Sequence, residues 1–202
     1  MSYAVVPAWL FYLLTMKIRT AFISLLLLTL STFSLAADSS VWQSVIDDKS
    51  IIIMRHALAP GTGDPENFRL RQCSTQRNLS ETGRQQAKSI GANFKKHGIV
   101  DAQVYSSQWC RCLDTATEMN IGTLKELPLL NSFYTNREAG PAQIKKLKQW
   151  LKNRSDDQPI VLVTHQVVIT ALTGVYPASG EAVIFQLTDD SDIEVLGSVA
   201  PD

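Results

Sequence analysis

Residues 50–60 read SIIIMRHALAP: four apolar residues, Ile51 to Met54, run straight into a cationic pair, Arg55 and His56. The apolar run is too short for a helix, and Pro60 followed by Gly61 closes the stretch. This is the pattern of a short strand buried on both faces, as in a parallel sheet. In open α/β sheets ligands bind outside the carboxyl ends of the strands, so Arg55 and His56 stand where a ligand is expected.

The pattern has a twin. PIVLVTHQ (159–166) again carries apolar residues into a histidine, His165, at the expected end of a strand. Between the two, VYSSQWCRCLDTAT (104–117) places Arg111 just past a third strand, at the start of a helix predicted from about Trp109 to Met119. If these strand ends are neighbours, two imidazoles and two guanidinium groups converge, with helix N-termini adding backbone N–H groups. Such a pocket suits a small dianion, phosphate above all, because the arginine fork matches its oxygens. A neutral imidazole in that cationic field can act as a nucleophile, since neighbouring cations disfavour its protonation.

The rest of the chain alternates in the same way. LSETGRQQAKSIGANFKKHGI (79–99) reads as a helix with Ser80 as N-cap and Ala87, Ile90 and Phe94 on one face. AQIKKLKQWLKNR (142–154) has Ile144, Leu147 and Leu151 as its apolar stripe, and VVITALTG (167–174) turns into a further helix. EAVIFQLT (181–188) and SDIEVLGSV (191–199) look like a closing hairpin or edge strands. Strands alternating with helices predict an α/β domain with a largely parallel sheet. The stretch from Ala57 to Asn78 reads as a long loop, and long loops in compact domains are often functional.

Of the 202 residues 45% are hydrophobic and 19% charged, and the net charge is zero, so nothing points to nucleic acid as a partner. From Met16 the chain has Lys17 and Arg19, an apolar run, then Ser34-Leu35-Ala36, the small-x-small pattern for cleavage before Ala37. Residues 1–36 are expected to be a secretory leader, with 1–15 upstream of the natural start, and 37–202 a single domain placed in the periplasm or secreted. The alternative is a membrane anchor that stays uncleaved, the one way in which this chain would contact a membrane. Three cysteines in an exported chain suggest one disulfide, Cys73 with Cys110 or Cys112, because the latter two lie too close on a helix to pair with each other. Cys-x-Cys without a nearby histidine is poor zinc spacing, and no metal or other cofactor is expected.

MRHA, SSQWCRCLDTA and VTHQ, together with Leu79, Gly83, Gln86 and Ala87 of LSETGRQQA, resemble the motifs of the histidine phosphatase superfamily, the phosphoglycerate mutase-like enzymes. The resemblance spans about residues 50 to 175, with four motifs in register. It implies a three-layer α/β/α sandwich with a mostly parallel central sheet. It also implies that His56 takes the phosphoryl group, that Arg55 and Arg111 grip its oxygens, and that His165 donates a further hydrogen bond. Two departures stand out: Ala57 replaces the glycine after the Arg-His pair, and Asn131 stands where many relatives have a glutamate acid. Gln166, not aspartate, follows His165.

The proton donor is then sought among Glu138, Asp64 and Glu66. Arg71 and Arg77 of the long loop, with Arg69 beside them, and Gln166 are candidates for holding the rest of the substrate. The plainer alternative for these arginines is a solvated loop. Trp109 is expected in the core, and His97 at the polar end of its helix. The expected function is an exported, metal-independent phosphomonoesterase acting on a small phosphorylated substrate, with an envelope sugar phosphate as one candidate by analogy. The alternatives are a protein that binds a phosphorylated ligand with little turnover, and a metal-dependent phosphoesterase using both histidines as ligands.

Overall fold

The computed structural model describes residues 41–46, 50–154, 158–188, 190 and 192–201. The expected leader lies outside the described residues. After a helical segment, α1 (41–46), the order is β1 (Ile51–Arg55), α2 (Glu81–Lys96), β2 (Ala102–Ser106), α3 (Cys110–Met119), β3 (Gly122–Glu126), α4 (Gly140–Lys152), β4 (Ile160–Thr164), α5 (Gln166–Thr173), β5 (Ala182–Leu187) and β6 (Ile193–Val199).

The six strands form one sheet in the order β3-β2-β4-β1-β5-β6. The first four are mutually parallel, while β5 runs antiparallel to both β1 and β6. Side chains alternate across the sheet, so each buried strand feeds two cores. Ile52, Met54, Val161 and Val163 pack against Ala87, Ile90 and Phe94 of α2 and Ala116 and Met119 of α3. Ile51, Ile53, Ile160 and Leu162 pack with Ile144, Leu147 and Leu151 of α4 and Val168 and Ile169 of α5. The result is the expected three-layer sandwich.

One strand is not anticipated from sequence. β3, GTLKE, is almost wholly exposed at the sheet edge, where there is no second face to bury and no apolar run is needed.

The topology brings the site together. β4 is inserted between β1 and β2, with Arg55 opposite Thr164 and Ser106 opposite Val163. The ladder continues past the strand ends, His56 N–H donating to Thr164 O (2.9 Å) and Ser107 N–H to Val163 O (2.9 Å). His56, Ser107 and His165 therefore emerge side by side.

The chain just past His56 is held by the start of α2. Ser80 caps that helix by accepting from Gly83 N–H (3.0 Å), and its own N–H donates to Leu58 O (3.1 Å). Leu58 N–H donates in turn to Gln86 Oε1 (2.9 Å). A Cβ at Gly83 would lie 2.0 Å from Leu58 O, a backbone atom fixed by these bonds. Gly83→Ala is expected to cost about 1–3 kcal/mol, the usual range for overpacking, read as a lower denaturation midpoint at unchanged slope.

Candidate active site

His56 is buried, and its Nδ1 lies 2.8 Å from Ala57 O. A carbonyl can only accept, so Nδ1 carries the hydrogen and Nε2 keeps the lone pair. Burial, and then the cations Arg111, Arg77 and Arg55, push the imidazole pKa down to about 3. Burial and the same arginines also hold His165 well below the ordinary value. At neutral pH both rings are uncharged. Their centroids lie 5.6 Å apart, edge to face.

The tautomer of His165 follows from a chain of hydrogen bonds whose polarity is set by a backbone amide. Gln108 N–H donates to Asn131 Oδ1 (2.9 Å), so that atom is an acceptor. The Ser107 hydroxyl must then donate to it (3.2 Å), which leaves His165 Nε2–H to donate to Ser107 Oγ (2.8 Å). The lone pair of His165 sits on Nδ1, 3.4 Å from Arg111 Nη2. Asn131 is thus part of the support of His165. In this resting state His165 has no proton on Nδ1, and that nitrogen can donate to an anion only after it gains one.

Arg111 is only 3% exposed. Its Nη1 donates to Asp64 Oδ1 (2.7 Å) and to Arg77 O (3.2 Å), and its Nη2 donates to Asp64 Oδ2 (3.1 Å). Arg55 Nη1 donates to Pro177 O (3.1 Å). Among the described residues, the Nε atoms of Arg55 and Arg111 are buried with no hydrogen-bond partner. Buried donors of this kind are rare and need an explanation, and an anionic ligand is the natural one.

Arg77 belongs to the wall of the site. Its guanidinium donates to Gly63 O (2.8 Å) and Ala59 O, and its backbone N–H donates to Asp64 Oδ1 (3.0 Å). Burial, followed by the repulsion of Arg111, lowers its pKa. The other two loop arginines are exposed: Arg69 lies in the open, and Arg71 is paired with Glu126 at the end of β3. Gln166 bonds within its own helix, Nε2–H to Thr170 Oγ1 (2.8 Å). Glu66 and Glu138 are exposed, and none of the hydrogen bonds of His56, His165, Arg55 or Arg111 reaches them. Asp64 meets the arginine, but as an ionised partner in a salt bridge: burial opposes its ionisation, yet the hydrogen bond and charge of Arg111 hold its pKa below the usual value.

Two expectations are corrected and one open choice is decided. Trp109 is not plain core: its indole N–H donates to Asp64 Oδ2 (3.1 Å), its ring meets His165 edge-on at 5.3 Å, and Phe68 stacks on it at 5.0 Å. The amides leading into α3 are not open to an anion. Gln108 N–H is taken by Asn131, Trp109 N–H by Ser107 Oγ (3.4 Å), and Cys110 N–H by Gln76 Oε1 (2.9 Å). The cysteine alternative also closes: Cys73 bonds to Cys110, and Cys112 is free and buried. Cys112 Sγ lies 3.5 Å from His165 Nε2, but burial pushes its thiol up to about 12, so it stays protonated. His97 lies where it was expected, at the end of α2, with Nδ1 against Asn93 O (2.9 Å) and its ring stacked on Trp42.

The Cys73–Cys110 bridge spans 37 residues and ties the long loop to the first residue of α3, next to Arg111. Replacing Cys73 by serine is expected to reduce unfolding free energy by about 2–4 kcal/mol, measured by denaturant titration of oxidised and variant protein.

Residues 51–131 match the family model described as histidine phosphatase superfamily (branch 1). No curated protein matches the sequence. Among solved structures the chain is similar to the protein histidine phosphatase SixA complexed with tungstate, at 14% identity and a TM-score of 0.54, over 75% of this chain and 97% of that one. It is similar to phosphoserine phosphatase from Entamoeba histolytica in complex with 3-phosphoglyceric acid, at 16% identity and a TM-score of 0.54, over 76% and 98% of the two chains. YhfR of Bacillus stearothermophilus is a third, at 16% identity and a TM-score of 0.51, over 73% and 95%. At these identities the likeness is one of fold.

Proposed function

We propose that the chain, whose residues 51–131 match the histidine phosphatase superfamily model, is a phosphatase of that superfamily: an exported phosphomonoesterase acting through a phosphohistidine on His56, without a metal. The observation that carries this reading is the neutral His56, its lone pair on Nε2, beside two arginines whose buried Nε atoms have no partner among the described residues.

In the reaction, Nε2 of His56 attacks phosphorus in line with the ester oxygen. The P–O bond to the leaving group breaks as the N–P bond forms. Arg55 and Arg111 hold the non-bridging oxygens and neutralise the charge on them, the work that magnesium does in other phosphoryl-transfer sites. Water then attacks the phosphohistidine, releasing phosphate and restoring the lone pair on Nε2. The substrate is a small phosphorylated molecule, with an envelope sugar phosphate as the candidate that export suggests. Two of the proteins that share the fold are a protein histidine phosphatase and a phosphoserine phosphatase, in keeping with a monoester or phosphoramidate substrate.

Asp64 is held ionised and supplies no proton, so the leaving oxygen departs as the oxyanion and takes its proton from water. That observation favours esters with good leaving groups. It also sustains the second reading, a protein that holds a phosphorylated ligand and turns it over slowly.

The test is hydrolysis of an aryl phosphate and an alkyl phosphate by the full chain, with and without a chelator. Turnover that survives chelation, depends on His56 and favours the aryl ester supports the proposal. Loss on chelation sinks the metal-free scheme, and inertness of a folded chain towards both esters moves the reading to a binding protein. Amino-terminal sequencing of the protein recovered from its native host tests export separately.

A further inference from the structure

An arginine has two hydrogen-bonding edges, an end-on fork of Nη1 and Nη2 and a side-on fork of Nε and one Nη. In Arg111 the end-on fork is fully taken by the Asp64 carboxylate, at 2.7 and 3.1 Å. The side-on fork is not. Nε is buried with no partner among the described residues, and Nη2 turns its second hydrogen towards His165 Nδ1, 3.4 Å away. The free edge therefore runs along the histidine side of the guanidinium.

Asp64 is itself held by donors that do not belong to Arg111. Oδ1 also accepts from Arg77 N–H (3.0 Å), and Oδ2 from the Trp109 indole N–H (3.1 Å). The loop bearing Asp64 is pinned by the Arg77 guanidinium to Gly63 O and Ala59 O, and by the Cys73–Cys110 bond to the first turn of α3. The carboxylate is a fixed anchor, and the arginine is oriented against it.

We infer that Asp64 is a positioning residue, clamping the end-on edge of Arg111 so that its side-on edge, Nε and Nη2, faces the phosphoryl group. This rests on the phosphatase reading only in what the anion is. It removes Asp64 from the proton donors and gives the long loop a role: the loop delivers the counter-carboxylate for the arginine that grips substrate. Two other roles for Asp64 make opposite predictions. A carboxylate that competes with phosphate for Arg111 would weaken phosphate binding, and a general acid would matter only for poor leaving groups.

The experiment measures inorganic phosphate binding calorimetrically, and kcat/KM for an aryl and an alkyl phosphate, in the full chain, Asp64→Asn, Asp64→Glu, Arg111→Lys and the Asp64→Asn/Arg111→Lys double variant. Melting curves establish that each is folded. Asp64→Asn is expected to weaken phosphate binding and to lower kcat/KM for both esters by a similar factor, on the order of 10- to 100-fold, as found for partners that orient a ligating group. Asp64→Glu recovers part of the loss. In the Arg111→Lys background Asp64→Asn adds little, because the edge it aims is gone.

Tighter phosphate binding in Asp64→Asn, a loss confined to the alkyl ester, or losses that simply multiply in the double variant would each overturn the clamp. The two proposals fail separately. Weakened phosphate binding with no turnover by any variant overturns the phosphatase and leaves the clamp. Turnover that depends on His56 with phosphate affinity unmoved by Asp64→Asn overturns the clamp alone.

Discussion

Replacing His56 with alanine is expected to abolish hydrolysis of an aryl phosphate, a fall on the order of 10⁴- to 10⁶-fold, as for other enzymes stripped of their nucleophile. The ring has one free lone pair, on Nε2, because Nδ1–H is committed to Ala57 O. Phosphate binding should fall far less, since the arginine donors remain. A steady-state assay beside phosphate calorimetry separates the two effects, and a phosphorylated His56 in base-quenched wild type identifies the intermediate.

The pH dependence carries the same signature. With its pKa near 3, His56 is already deprotonated throughout the range from pH 4 upwards, so an acid limb in kcat/KM near pH 6 reports the second ionisation of the phosphate monoester. Stability moves in the opposite sense to that of a paired histidine. The unfolded chain binds a proton below about pH 6.5 that the folded His56 refuses, so folding stability declines as pH falls from about 6.5 towards 3.

What the sequence discloses follows from which interactions are local. Ile51–Arg55 and Ile160–Thr164 are legible because a strand buried on both faces appears as an unbroken apolar run, and each ends on a histidine. The α2 start is legible because capping chemistry lies within four residues, Ser80 to Gly83. β3 is hidden because an exposed edge strand carries no such run. Asp64 can be named as a candidate but not given its task, since its partners Arg77, Trp109 and Arg111 lie 13, 45 and 47 residues away. Asn131 reads as a missing acid until Gln108 N–H fixes its oxygen as an acceptor. The cysteine choice turns on helix phase. Cys110 and Cys112 are two residues apart, about 200° around α3, so one meets the loop while the other packs into the core against Thr164 O.

Arg111→Lys and Arg111→Met separate the two things this arginine supplies, charge and a fork. Lysine keeps the cation but offers a single point donor, and cannot present paired N–H groups to two phosphoryl oxygens. Its kcat/KM on the aryl phosphate is expected to drop by about 10²- to 10³-fold, the range seen when one aligned donor to transition-state charge is lost. The titration of His56 should hardly move, because the charge that helps to hold His56 neutral remains. Methionine has a similar span and no charge. It should lose more activity and also let the His56 pKa rise, since Arg111 is the largest of the charges acting on it, although burial, the leading cause, stays in place. Because the acid limb of kcat/KM near pH 6 belongs to the ester, this rise is read from NMR titration of the His56 ring, which should titrate higher in the methionine variant than in the lysine variant. Equal titration in the two variants would mean that burial and the other arginines suffice to keep His56 neutral, and equal losses of rate would mean that the fork contributes nothing beyond its charge.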